Sequence, residues 1–188
     1  MADDVTQILI KVSEGDSEEA YNKLFSKVYN ELKDIANQQL SRERTGHTYS
    51  KTDLVHEAFM RMIGTDQVEW KSRTHFYGVA AICMKQMLVD YARKKLAVKR
   101  GGNFSRQTYV DELIPAVSEA KKIISLDEAL KKLESFDKRM ADVVNYRYFG
   151  GLTIDETAEV LGVSKNTVNR DWAKARGLLY KELKDQLE

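Results

Sequence analysis

The sequence predicts an all-α protein of two small helical domains joined by a flexible linker, the second containing a helix-turn-helix. Three observations carry this prediction. One proline and ten glycines interrupt 188 residues rich in Ala, Leu, Lys and Glu, a composition that favours helix nearly throughout. Apolar residues recur at three- and four-residue steps in segment after segment, the period of a helix with one buried face. Residues 152–179 hold two such patterns separated by a short turn containing Gly162.

With 43% apolar and 31% charged residues, the composition is that of a soluble globular protein long enough for one ordinary domain or two small ones. The single cysteine, Cys83, excludes an intrachain disulfide and any multi-thiolate metal site. No charged-then-apolar leader opens the chain and no apolar run is long enough to span a bilayer, so a cytoplasmic protein without membrane association is expected. The net charge of +1 is unevenly spread. Residues 1–92 hold 11 basic and 14 acidic side chains, 93–110 hold 6 and none, and 111–188 hold 13 and 15. A short basic block between balanced regions points to phosphate contacts at one place.

The first helix is expected over residues 4–14, apolar at Val5, Ile8, Leu9 and Val12, and the second runs from a capping box at Asp16 and Glu19 towards Leu40. The polar stretch 41–51, with Gly46, reads as a loop. A third helix is expected from about Asp53 to Ile63, with Leu54, Val55, Ala58, Phe59 and Met62 inward. Asp53, His56, Glu57 and Arg61 lie outside that face; spacing alone leaves open whether they are a solvated surface or dock a partner protein. Residues 65–77 interleave Trp70, His75, Phe76 and Tyr77 with Lys71 and Arg73. Rings among cations suit a single-stranded nucleic acid, whose bases stack while its phosphates pair. The same mixture also occurs at a helix entrance, and only Phe76 is assigned to the core on this reading.

From Thr74 to about Val98 one long helix is expected, with Val79, Ala80, Cys83, Met87 and Tyr91 inward and Lys85, Gln86, Asp90, Arg93 and Lys94 outward. It runs into the basic block at Lys99 and Arg100. Residues 101–123 contain a Gly-Gly pair and Pro115 without sustained period and read as the linker. Ser125 is expected to cap the next helix, and Phe136, Met140, Val143, Val144 and Tyr148 form the following stripe up to Gly150 and Gly151.

The helix-turn-helix then opens with Thr153 and Glu156 at capping-box spacing, buries Ile154, Ala158 and Leu161, and turns at Gly162. Ser164 can cap the second helix, whose Val168, Trp172, Ala175 and Leu179 face inward. Its opposite face carries Lys165, Asn166, Asn169, Arg170 and Lys174, with Thr167 beside them. Asn and Arg pair bidentately with base edges and lysines meet phosphates, so this face suits a major groove.

An N-terminal helical unit with DLVHEAFMRMI, an aromatic-basic loop, a helix ending in LVDYARKK, AVKRGG, a linker and TIDETAEVLGVSKNTVNRDWAKAR together resemble a bacterial RNA polymerase sigma factor of the small extracytoplasmic-function (ECF, group IV) class. The resemblance covers nearly the whole chain. It implies that residues 1–100 dock on core polymerase and melt the −10 element, that 101–123 is a linker towards the RNA exit path, and that 124–188 reads the −35 element. In residue terms it implies docking of Asp53, His56, Glu57 and Arg61 on the coiled coil of the polymerase β′ subunit, with contacts to β as well. Trp70, Lys71, Arg73, His75 and Tyr77 would hold the unpaired −10 strand, and Lys85, Gln86, Arg93, Lys94, Lys99 and Arg100 its phosphates or the duplex upstream. Ser164, Lys165, Asn166, Thr167, Asn169, Arg170 and Lys174 would read the −35 duplex. Promoter DNA and core polymerase are the implied partners, with room for an anti-sigma factor or a recruiting protein. His56 stands where the pattern leads one to expect Gln, and Gln86 where Asn is usual.

Two other function classes compete for the same residues. A stand-alone helix-turn-helix regulator would bind duplex DNA without polymerase. An enzyme has little support: His47, His56 and His75 lie nine and nineteen residues apart on different elements, without metal-ligand spacing, and no phosphate-binding glycine loop is present. No cofactor or metal is expected.

Overall fold

A computed structural model describes residues 2–13, 18–41, 50–64, 70–101 and 110–185, without the side chains of 2–3, 13, 98–101 and 110–117. Eight α-helices follow one another among the described residues: α1 (Ala2–Ser13), α2 (Glu18–Ser41), α3 (Lys51–Ile63), α4 (Arg73–Gly101), α5 (Val110–Phe136), α6 (Lys138–Val144), α7 (Ile154–Leu161) and α8 (Lys165–Asp185). A single π-type turn, Asn145–Phe149, continues α6. No strand occurs among the described residues, and the protein is all-α as its composition indicated.

The central element is α4, which packs against α2 and α3 on one side and against α5 and the π-type turn on the other. Its buried residues therefore do not keep to one stripe: Phe76, Ala80, Met84, Met87, Leu88 and Val89 are all inaccessible. A helix covered on two sides loses the one-sided pattern of a surface helix. This corrects one expectation: Lys85, placed on the outward face by its spacing, is only 7% exposed.

Two helix starts also differ from the sequence reading. Ser50, not Asp53, heads α3: its hydroxyl accepts from the Asp53 amide at 3.1 Å while the Asp53 carboxylate accepts from the Ser50 hydroxyl at 2.7 Å. Ser50 and Asp53 thus form a capping box, and the cap lies three residues before the expected helix start. The second difference is larger. Helix α5 begins at Val110, inside the stretch expected to be linker, and Ser125 sits in its interior rather than capping it. Good helix formers such as Glu119, Ala120, Lys121 and Lys122 carry the helix, and burial of Ala120, Ala129, Leu130 and Leu133 anchors it. The Gly-Gly pair ends at Gly102; residues 102–109, the loop at 42–49 with His47, and 65–69 lie outside the described residues.

One apolar cluster unites both halves of the chain. It runs from Leu24, Leu32, Leu54 and Phe76 through Met84 to Leu130, Leu133, Val144, Ala175 and Leu179. A smaller cluster of Val143, Ala158 and Val168 holds α7 and α8 on α6, with Ile154, Leu161 and Trp172 against it. A polar tie crosses between the halves as well: the Gln39 amide, which donates to the Ala81 carbonyl of α4 at 2.9 Å, also donates to that of Phe149 in the second half at 3.3 Å. Phe136, expected in the stripe of the following helix, is 77% exposed because α5 ends there and Asp137 caps α6.

Candidate nucleic-acid interface

The geometry of α7 and α8 follows from three local devices. Thr153 caps α7: its hydroxyl accepts from the Glu156 amide at 3.2 Å, and the Glu156 carboxylate accepts from the Thr153 amide at 2.7 Å. Gly162 ends the helix in the left-handed conformation, φ 64°, where a side chain would strain the backbone. Ser164 then caps α8 by accepting from the Thr167 amide at 3.1 Å. The turn is thereby fixed, and with it the direction in which α8 projects.

On α8 the expected inward stripe is buried at Val168, Ala175 and Leu179, with Trp172 half-buried. Ser164, Lys165, Asn166, Asn169, Arg170 and Lys174 are all exposed, and Thr167 is half-buried at their edge. At 1.5 Å per residue, the span from Lys165 to Lys174 is about 13 Å, roughly four base-pair steps. Lys165 is held by Asp155 of α7 at 2.8 Å, a pair in which both side chains are exposed and which a phosphate can displace. Asp171, which the sequence reading passed over, is buried and accepts from Arg139 of α6 at 2.7 Å. It fixes α8 on α6 beneath the exposed face. Its signal was its place: three residues after Val168, it falls within the buried stripe.

The N-terminal candidates are not one surface. Trp70 is 8% exposed and packs edge-on against Phe76, ring centres 5.1 Å apart, so its ring belongs to the core in this arrangement. His75 lies 6.1 Å from it, and its Nδ1 accepts from the Lys71 amide at 3.4 Å. Burial, and secondarily the Lys71 charge, hold the imidazole below its ordinary pKa of 6.5. Arg73 pairs with Glu31 of α2 and stacks over the Tyr77 ring at 5.5 Å. Lys71 and Lys94 are exposed and Gln86 is half-buried. The side chains of Lys99 and Arg100 lie outside the description.

Lys85 and Arg93 share a partner. Arg93 Nη2 lies 3.0 Å from Asp127 Oδ2 of α5, and Lys85 Nζ lies 3.8 Å from Oδ1. Lys85 also donates to Asn145 Oδ1 at 3.3 Å and sits 5.3 Å over the Phe149 ring.

On α3, Glu57 and Arg61 pair at 2.6 Å and His56 packs against Phe25 of α2, ring centres 4.8 Å apart. His56 is itself exposed, as is Met60 at 68%. Asp53 serves the capping box described above. Burial raises the pKa of the Cys83 thiol, which is half-buried with Sγ 3.9 Å from the Ala58 carbonyl oxygen. No group of three or more metal-ligating side chains occurs among the described residues. None of the described helices is long and apolar enough to cross a membrane.

Comparison with individually curated proteins gives no match. The family model described as ECF sigma factor matches residues 2–185. A match of that extent takes in α1 to α8 in order, and the chain accordingly belongs to the ECF sigma factor family, non-catalytic transcription initiation factors that bind core RNA polymerase and promoter DNA.

Proposed function

We propose that this cytoplasmic sigma factor reads its promoter at two points and docks on polymerase at a third. The exposed face of α8 enters the major groove of the −35 element, with Asn166, Asn169 and Arg170 at base edges and Ser164, Lys165, Thr167 and Lys174 towards phosphates. The observation that carries this is the set of polar, exposed side chains that the capped turn lines up on one side of α8.

The −10 strand is held by Lys71, Arg73, His75 and Tyr77 at the start of α4, with Trp70 as the wall behind them. Opening DNA costs on the order of 1–2 kcal/mol of stacking per base step. A pocket that accepts an extruded base offsets part of that cost. Lys85, Gln86, Arg93, Lys94, Lys99 and Arg100 carry phosphates along the remainder of α4. Asp53, His56, Glu57 and Arg61 on α3 contact the coiled coil of β′, with Met60 supplying apolar area beside them, and residues 101–123, which include the start of α5, connect the two reading heads along the RNA exit path. The polymerase performs the chemistry; these residues decide where it begins.

The test is in vitro transcription with core polymerase and the purified protein on a fragmented genomic template, followed by mapping of start sites. Discrete start sites that require the protein are expected. Binding to duplex DNA with no stimulation of initiation would instead mark a stand-alone regulator.

A further inference from the structure

We propose that Asp171 is a positioning residue for −35 recognition: acting through Arg170 it sets the base preferred at one position of the element, and Arg139 of α6 holds it to that task. This role rests on the reading in which Arg170 meets base edges, and it places part of the base preference in a buried side chain that touches no DNA. Asp171 is 2% exposed, while Arg170, one residue earlier and about 100° round the helix, is exposed. One buried carboxylate thus faces two arginines. Its Oδ2 accepts from Arg139 Nε at 2.7 Å, and its Oδ1 lies 3.7 Å from Arg170 Nε.

The two contacts differ in kind. At 2.7 Å the Arg139 contact is a charge-assisted hydrogen bond that fixes the orientation of the carboxylate. At 3.7 Å the Arg170 contact is an ion pair without a direct hydrogen bond, which biases the guanidinium while leaving it able to adjust. The attraction is towards Nε, so Nη1 and Nη2 are the donors that remain for DNA. That pair matches the O6 and N7 acceptors of guanine in the major groove. An exposed arginine samples many rotamers and loses that freedom on binding; a carboxylate that favours one orientation beforehand reduces the loss. Because Asp171 is buried and neutralised by Arg139, it orients Arg170 without presenting a bare carboxylate to the phosphates.

A carboxylate that only braced α8 on α6 would weaken every promoter alike. A positioning carboxylate acts at one base position, and only while Arg170 is present. Holoenzymes assembled from core polymerase with wild type, Asp171→Asn, Arg170→Ala or the double variant are compared by transcription from a promoter mapped for this protein, with each of the four bases placed in turn at every −35 position. Asn has the shape of Asp and can still accept from Arg139, so the substitution keeps the brace and removes the charge that faces Arg170.

Asp171→Asn is expected to lower the preference for guanine by about threefold or more at the position that Arg170→Ala also affects, with the other positions unchanged. In the Arg170→Ala background the same substitution is expected to alter no preference. Equal loss at all positions, or a loss that persists without Arg170, would overturn the positioning role. Should Asp171→Asn lose its folded circular dichroism signal, Arg139→Gln decides. It keeps a donor for Oδ2 but removes the competing charge, so the carboxylate draws Arg170 inward and the same single position loses its preference; an unaltered preference or a uniform loss overturns the role. Arg170→Ala alone keeps the two readings apart. If it alters no −35 position, base reading by Arg170 fails and the positioning role falls with it, whereas a position altered by Arg170→Ala but untouched by Asp171→Asn overturns the positioning role alone.

Discussion

At the scale of single residues, function divides between side chains that are buried and side chains that are exposed to a partner, even where, as with Arg170 Nε at 3.7 Å from Asp171 Oδ1, the two kinds touch. Arg170 and Asn166 are exposed on α8, whereas their neighbour Asp171 is buried against Arg139. Replacing Arg170 or Asn166 by Ala is expected to lower discrimination between the cognate −35 element and single-base variants by about 1–3 kcal/mol, read from transcription on a panel of promoter mutants. Equal losses on every template would assign these side chains to phosphates instead. His75 makes a different prediction. Its pKa is lowered in the folded protein, mainly by burial, so the unfolded chain takes up the proton first. Its contribution therefore lowers stability progressively as pH falls from 6.5 through the lowered folded value. Thermal unfolding followed from about pH 7.5 to 5 should show a steeper decline for wild type than for His75→Gln. Parallel curves would mean that the imidazole is as free to ionise as in the unfolded chain.

At the scale of elements, the reading helix depends on a turn more than on its own sequence. Gly162 adopts φ 64° with open space around it, so Gly162→Ala meets no clash and its cost is the left-handed backbone alone, about 1–2 kcal/mol. Gly177, inside α8 and likewise in open space, predicts the opposite sign. Gly177→Ala should stabilise by about 0.5–1 kcal/mol through helix propensity. Urea unfolding of the two variants side by side checks both signs. Helix α3 shows a related economy of residues: Asp53 closes the capping box, so its carboxylate serves the helix start before it serves any partner. A charge reversal at Asp53 would therefore confound local stability with polymerase binding. The start of α4 behaves likewise, since Trp70 and Phe76 form packing beneath the more accessible Lys71, Arg73 and Tyr77.

At the scale of the whole molecule, the decisive feature is that α4, α5, α6 and α8 share one core. A shared core predicts one cooperative unfolding transition for the free protein rather than two. The two tryptophans report it conveniently, Trp70 in the first half and Trp172 in the second. In the single-tryptophan variants Trp70→Phe and Trp172→Phe, fluorescence-detected denaturation midpoints should coincide once each variant's stability by circular dichroism is taken into account. Separate transitions within one variant would show that the halves unfold independently. The same shared core explains why a charge analysis that found basic residues concentrated at 93–110 missed Asp127, the carboxylate that meets Lys85 and Arg93 across it.

The sequence by itself determined what depends on neighbours along the chain: helix rather than strand, the Thr153–Glu156 box, the left-handed Gly162, the Ser164 cap, and the polar face from Lys165 to Lys174. Each rests on interactions spanning three or four residues, which spacing records directly. The order of blocks also sufficed to suggest the family. Only the tertiary structure decided that Lys85 is buried, that Trp70 lies in packing, that helix begins at Val110, and that the two halves meet through Asp127 and Gln39. Those outcomes join residues far apart in sequence across a helix covered on two sides, and hydrophobic periodicity marks one buried face without naming the element that covers the other.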